Sequence, residues 1–261
     1  SYWANLRKEN GHEEPYGVSF WGIGNESWGC GGNMTPEHYS DEYRCFQGFA
    51  YDYSGHKIKK IACGPNSADY NWMETCLKKI PAKMLWGISL HYYTVATGNW
   101  SKKGAATQFD EKEYFDGVKN ALFMDELLTK HSAIMDMYDP KKKIALVVDE
   151  WGIWTDPEPD TNPRFLYQQN SMRDALIAAS TLNIFNNHSD RVRMANLAQT
   201  VNVLQSLILT DKEKMLLTPT YHIFKMYKVH QEANLLKTSA ISRNYVYGTE
   251  AVSYTHLTLP T

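Results

Sequence analysis

The sequence contains no HExxH, and its histidines and cysteines do not cluster at zinc-ligand spacing, so nothing in it calls for a metal. Cysteine is sparse. Cys30, Cys45, Cys63 and Cys76 show no CxxC spacing, and a chain of 261 residues can build a core without disulfides, so they read as free thiols. Basic charge is not in surplus: the formal net charge is −2, and Lys and Arg are scattered apart from Lys141-Lys142-Lys143. Nucleic acid is therefore a poor partner. No apolar run reaches the roughly 20 residues that cross a bilayer, so no membrane association is expected. No cofactor motif is present. The chain opens at Ser1-Tyr2-Trp3 without an initiator Met, a signal peptide or a capping element, and gives no sign of its compartment.

What is present is ordinary for a globular protein: 43% hydrophobic and 21% charged residues, long enough for one large barrel or sandwich or for two modest domains. The 8 Trp and 17 Tyr suit a sugar cleft, where flat rings with a polar edge are useful, but the same composition serves a core, which is the more common use. The last ten residues, Val252 to Thr261 (VSYTHLTLPT), read like one frame of sequencing-adapter DNA. The competing reading is a natural strand-like tail. The expectation is a piece of a longer gene, with residues 252–261 outside the fold.

Apolar strand-like segments alternate with longer helical patterns. Val18–Gly24 reads as a buried strand, and Thr35-Pro36-Glu37 supplies a cap, a first-turn proline and a first-turn acid for a helix to about Tyr53. Lys59–Cys63 is a second strand, with a helix near Trp72–Lys79. Leu85–Tyr92 is a third, followed by a helix over Tyr114–Met137. Ile144–Asp149 is a nearly all-apolar fourth, with a helix over Asn170–Phe185. Val192–Leu197 is the fifth, and Pro219–His230 the last helix. Strict alternation implies a parallel sheet covered by helices. Apolar strands with polar groups at their C-terminal ends fit a (β/α)8 barrel. A doubly wound open sheet competes, but no GxGxxG follows any strand. Five units are three short of a barrel.

Two acids stand at strand ends. Glu26 follows the first strand, beside Asn25 and Trp28, and Glu150 follows the fourth, between Asp149 and Trp151. In one barrel both would project from the same rim into one cleft. Glycoside hydrolysis needs two carboxyl groups across the scissile bond, one protonated to assist the leaving group and one ionised to attack or to activate water. A lone Glu at a strand end more often solvates a loop; two beside tryptophans favour the chemical reading.

The segments GIGNESWGCGG (22–32) and VVDEWGIW (147–154) resemble the acid/base and nucleophile signatures of glycoside hydrolase family 51, the α-L-arabinofuranosidases. SLHYYT (89–94), ANLAQTVN (195–202) and TPTYHIFKMYKVHQ (218–231) resemble the same family in the same order, so the likeness covers roughly residues 2 to 232. It implies an α/β fold, a partial (β/α)8 TIM barrel comprising strands four to eight over residues 1–232, with the start of a C-terminal β-sandwich over 233–251. By the resemblance Glu26 is the general acid/base and Glu150 the nucleophile. Asn25 would bond the sugar 2-hydroxyl, and His91 and Tyr93 would contact the site, Tyr93 orienting the nucleophile. Trp154 would form an aromatic wall and Gln199 a polar contact, although Gln199 could be a simple loop residue. His91 and Tyr93 could be core residues, but alternation places them on one face together. The family's Arg and Asn contacts from early strands have no counterpart here.

The implied reaction is double displacement with retention, releasing terminal arabinofuranosyl units from arabinan, arabinoxylan or derived oligosaccharides, with no cofactor. The isolated chain is expected to be inactive, and the family is often hexameric. Alternatives are a related barrel hydrolase, such as an endoglucanase or β-xylosidase, and a non-catalytic sugar-binding barrel. Asn25-Glu26-Ser27 is formally a glycosylation sequon, and a glycan there would block the site.

Overall fold

The computed structural model describes residues 1–52, 55–236 and 243–252. In chain order the elements are α1 (Tyr2–Glu9), β1 (Phe20–Ile23), α2 (Pro36–Phe46), β2 (Lys59–Ala62), α3 (Tyr70–Lys79) and β3 (Gly87–Thr94). There follow α4 (Glu111–Ala121), α5 (Phe123–Tyr138), β4 (Ala145–Ile153), α6 (Met172–Asn187) and β5 (Val192–Leu197). The chain then forms β6 (Ile208–Asp211), β7 (Lys214–Leu217), α7 (Pro219–Tyr227), β8 (Tyr245–Tyr247) and β9 (Glu250–Val252).

Strands β1 to β5 form one sheet in sequence order, every neighbouring pair parallel. A doubly wound sheet reverses its strand order at a switch point, and this one does not. Each strand steps onto the next in one direction, as a barrel wall does. The two faces carry different side chains. Ile61, Ala145 and Val147 cluster with Trp86 and Met194 on one face. Leu146 and Val148 belong to the larger core, with Leu90, Trp72, Leu127 and Leu128, under the helices. Period-two alternation thus separates a sheet interior from a helix-facing layer.

The helices start where the caps predict. Thr35 accepts from the His38 N–H and Thr218 from the Tyr221 N–H, each with a proline at the first helical position, and Asp110 caps α4 by accepting from the Glu113 N–H. Ser171 and Asp174 close a capping box on α6. Buried Arg191 joins three elements: it donates to Asp139 Oδ2 at 2.9 Å and to the Ile144 and Asp139 carbonyls, and it pairs with Asp136.

Several elements differ from the sequence reading. The chain does begin with a cap: the Ser1 hydroxyl accepts from the Ala4 N–H, and α1 follows at once. β1 is not buried but exposed, with Phe20 and Trp21 at 37% and 48%, because it is the first strand of the sheet and has a neighbour on one side only. The helix after it ends at Phe46, followed by a 3-10 turn, and residues 53–54 lie outside the described residues. The long helix over 114–137 is interrupted at Leu122, whose own backbone stays helical (φ −67°, ψ −16°). The hairpin β6–β7 was not foreseen. The hairpin β8–β9 is antiparallel and packs on α4: Tyr245 meets Phe115 at 5.4 Å between ring centroids, and Lys119 pairs with Glu250 at 2.8 Å. Val252, read as the first tail residue, belongs to β9 and is buried in that contact. Residues 253–261 lie outside the described residues.

Candidate active site

Glu26 sits in a turn that glycine makes possible. After β1 the backbone takes φ +96° at Gly24 and φ +44° at Glu26 itself. The Glu26 carbonyl accepts from the N–H groups of Gly29 and Gly31, which folds the chain back under the side chain. At Gly31 a Cβ would lie 1.7 Å from the Asn25 carbonyl oxygen, so only glycine fits the approach. The turn brings Cys30 against the acid, and its thiol donates to Glu26 Oε2 at 3.1 Å.

Glu150 is aimed by an irregularity in β4. Between Ser89 and His91 on β3, two residues on, the partner strand advances three, from Val147 to Glu150. The same extra residue shows against β5, between Val148 and Trp151. Strict alternation would send Asp149 and Glu150 to opposite faces; a bulge re-aims side chains and lets both reach the same neighbour. Trp151, next along, returns to the helix-facing core at 1% exposure.

That neighbour is His91, 2% exposed and the register partner of Glu150. Its Nδ1 lies 3.0 Å from Glu26 Oε1 and 3.6 Å from Glu150 Oε2, and its Nε2 lies 3.0 Å from Asp149 Oδ1. The Nε2 approach is an ion-pair contact off the line of a good hydrogen bond. Burial disfavours the charged ring, but Asp149, then Glu150 and Glu26, outweigh it and raise the His91 pKa to about 9. At neutral pH an imidazolium stands among three carboxyl groups. Glu26, His91 and Glu150 offer ligand atoms within 4.8 Å of one another, a set that could hold a cation, but the protonated ring already supplies positive charge at that point.

The other expected residues divide. The Tyr93 hydroxyl donates to Glu150 Oε2 at 2.9 Å; burial first, then the Glu150 charge, raises its pKa, so it stays a donor. Asn25 Nδ2 donates to Glu150 Oε1 at 3.4 Å, a long bond. Trp154 stands edge-on to Tyr93 at 4.9 Å and to Trp100 at 5.5 Å. Gln199 is exposed in the loop after β5; its N–H donates to the Val203 carbonyl, and no hydrogen bond links its side chain to either glutamate among the described residues. Asp149 and Cys30 were not singled out from the sequence. Both lie inside the quoted motifs, but the bulge that turns Asp149 and the turn that brings Cys30 to Glu26 leave no signature in residue type.

Two family profiles match the chain: the α-L-arabinofuranosidase 1 domain over residues 1–114 and the α-L-arabinofuranosidase C-terminal domain over residues 149–258. An intracellular exo-α-L-arabinofuranosidase of Bacteroides ovatus is 50% identical over 233 residues, covering 89% of this chain and 45% of that protein. The crystal structure of the GH51 arabinofuranosidase from Xanthomonas axonopodis pv. citri superposes with a TM-score of 0.90 at 51% identity, covering 97% of this chain and 51% of that one. An α-L-arabinofuranosidase from Thermotoga maritima, solved as an arabinose complex, gives 0.71 at 30% identity, covering 94% and 47%. The chain spans about half the length of the relatives it matches. Its parallel sheet is a portion of the barrel wall of those enzymes, and the chain belongs to glycoside hydrolase family 51.

Proposed function

We propose that the chain carries the catalytic carboxylates of a retaining, exo-acting α-L-arabinofuranosidase that releases terminal arabinofuranosyl units from arabinan, arabinoxylan or derived oligosaccharides. In this reading residues 1–232 are catalytic barrel and 233–251 begin a C-terminal β domain. The observation that carries it is the approach of Glu26 and Glu150, which have carboxylate oxygens within 4.8 Å of each other. Retaining glycosidases hold their carboxyl groups about 5–5.5 Å apart, and inverting ones hold them about 6.5–9.5 Å apart to admit a water.

Glu150, ionised, attacks the anomeric carbon while Glu26, protonated, gives its proton to the departing oxygen. Water then cleaves the glycosyl-enzyme, with Glu26 taking the proton. Tyr93, bonded to Glu150 Oε2, fixes the nucleophile's rotamer. Asn25 is the residue for the sugar 2-hydroxyl, Trp154 for the ring's wall, and Gln199 for a polar contact made only with sugar bound. Asp149 holds the His91 ring against both glutamates.

A fluorinated arabinofuranoside with a good leaving group tests the reading, offered to this chain and to a form extended at its N-terminus to the length of its relatives. The expected result is the mass of one fluorinated arabinofuranosyl group added to the peptide carrying Glu150. Labelling elsewhere, or inversion at the anomeric carbon, would overturn the assignment.

A further inference from the structure

Between β3 and α4 the chain makes a long loop, residues 95–110, and two side chains from elsewhere fasten its second half. Asp156, three residues past the end of β4, accepts from the Lys103 N–H through Oδ1 at 3.1 Å and from the Gly104 N–H through Oδ2 at 3.2 Å. Its own N–H donates back to the Gly104 carbonyl at 2.9 Å. A carboxylate with one oxygen on each of two amides makes stronger bonds than a neutral acceptor would. Arg173 of α6, 1% exposed, donates to the Ala105 and Ala106 carbonyls, and its guanidinium lies 3.9 Å from the centre of the Phe109 ring. A surface loop keeps one shape only where something fixes it. Here the fixing runs from Lys103 to Phe109.

The loop carries Trp100 and Lys103 to Trp154. The Trp100 ring stands edge-on to Trp154 at 5.5 Å, and the Lys103 ammonium lies 5.6 Å from the first ring and 5.5 Å from the second. Lys103 also donates to the Trp100 carbonyl at 2.7 Å, which ties the loop to itself where it meets Trp154. On β3, Tyr93 is edge-on to the same indole at 4.9 Å.

The backbone of Trp154 does not depend on the loop, because its N–H donates to the Thr94 carbonyl at 2.9 Å. Neither does the nucleophile: Tyr93 and Glu150 stand on paired strands, and the bond between them does not pass through the loop. What the loop decides is the orientation of the Trp154 ring. A side chain keeps one rotamer only where its neighbours exclude the others.

We propose that Asp156 is a positioning residue for sugar binding: by latching the loop at Lys103 and Gly104, it holds Trp100 and Lys103 against Trp154, the wall assigned above to the arabinofuranosyl ring. This rests on the glycosidase reading. Without the latch the sugar itself has to order the Trp154 ring. That cost falls on the bound ground state and the transition state alike, so it weakens affinity and spares the chemical step.

The first readout needs no turnover. In Asp156→Ala, hydrogen exchange in the peptide spanning residues 97–106 should speed up about tenfold, with the five parallel strands unchanged. Asp156→Asn keeps one acceptor oxygen and should show a smaller rise. The second readout is steady-state hydrolysis of an aryl arabinofuranoside by the form extended at its N-terminus. KM should rise roughly three- to tenfold in Asp156→Ala, the cost of ordering one side chain, and less in Asp156→Asn. In both, kcat should stay within about twofold of the parent. Trp100→Ala should raise KM in the same way, and combining it with Asp156→Ala should add little, because both act on one ring. Should Asp156→Ala fail to fold, Asp156→Asn and Trp100→Ala carry the same test. Unchanged exchange in the loop peptide, or a kcat that falls while KM stays put, overturns the proposal. Absence of hydrolysis by the extended parent sinks the glycosidase reading and this role with it, whereas hydrolysis with a KM indifferent to Asp156 sinks this role alone.

Discussion

The Tyr93 hydroxyl reaches across the seam between β3 and β4 to Glu150 Oε2 at 2.9 Å, from a position two residue pairs beyond the register contact of His91 with Glu150. The ring itself is held edge-on by Trp154, so the phenol is fixed at both ends. Tyr93→Phe keeps the ring and removes the donor. A hydrogen bond to a charged group contributes about 1.5–3 kcal/mol, so kcat should fall roughly ten- to a hundredfold with KM little changed. Steady-state kinetics on an aryl arabinofuranoside in the extended form measures this; an unchanged kcat would remove Tyr93 from the nucleophile's support.

The proposed division of labour between the two glutamates predicts opposite responses to leaving group and to azide. Glu150→Ala should abolish turnover of every substrate, since no covalent intermediate can form. Glu26→Ala should retain the first step with a nitrophenyl leaving group, and azide should restore the second by attacking the glycosyl-enzyme without a base. The check is rate against leaving-group acidity for both variants, with and without azide. Identical behaviour would mean the roles are misassigned.

His91 makes stability depend on pH with a definite sign. Its pKa is raised from 6.5 to about 9 by the folded state, because Asp149, Glu150 and Glu26 overcome the cost of burial. A raised pKa stabilises the fold fully below 6.5, progressively less between 6.5 and about 9, and not at all above that. The whole contribution is on the order of 3 kcal/mol. The melting temperature should therefore drop between pH 6.5 and 9.5 in the parent, and that slope should flatten in His91→Asn. A slope unchanged by the substitution would place the pH response elsewhere.

Arg191 is a structural counterpart, far from the carboxylate pair in sequence and fully buried. It neutralises Asp139 at 2.9 Å while holding the start of β4 through the Ile144 carbonyl. Arg191→Ala leaves Asp139 without its partner in a buried position, a loss of about 3–5 kcal/mol. Thermal unfolding should move down on the order of 10 °C. A shift of only a degree or two would show that water replaces the guanidinium.

The fifth strand was legible to the residue, Val192–Leu197, because its place after a long helix in a strict strand–helix alternation marks it, although as the last strand of the sheet it is buried only at Val192. The helix starts at Pro36 and Pro219 were equally plain, since a Thr cap followed by proline is local chemistry. The exposure of β1 was not legible: VSFWGIG looks buried in isolation, and only its position at the sheet's edge decides otherwise. Val252 was misread for a similar reason, since its burial depends on Phe115, which is distant in the chain.

The sequence by itself determined which residue types stand at the strand ends, the alternation of strand and helix, and the glycines that let the chain turn back at Glu26. Those are properties of a residue and its near neighbours, and they survive being read one segment at a time. Only the tertiary structure decided that β1 to β5 run in unreversed order and that an extra residue in β4 turns both Asp149 and Glu150 onto His91. Period-two alternation assigns neighbouring side chains to opposite faces, and a bulge exists only as a mismatch between paired strands. The charge of His91 was hidden for the same reason, because it is set by three carboxyl groups that the fold brings within 4 Å of one ring.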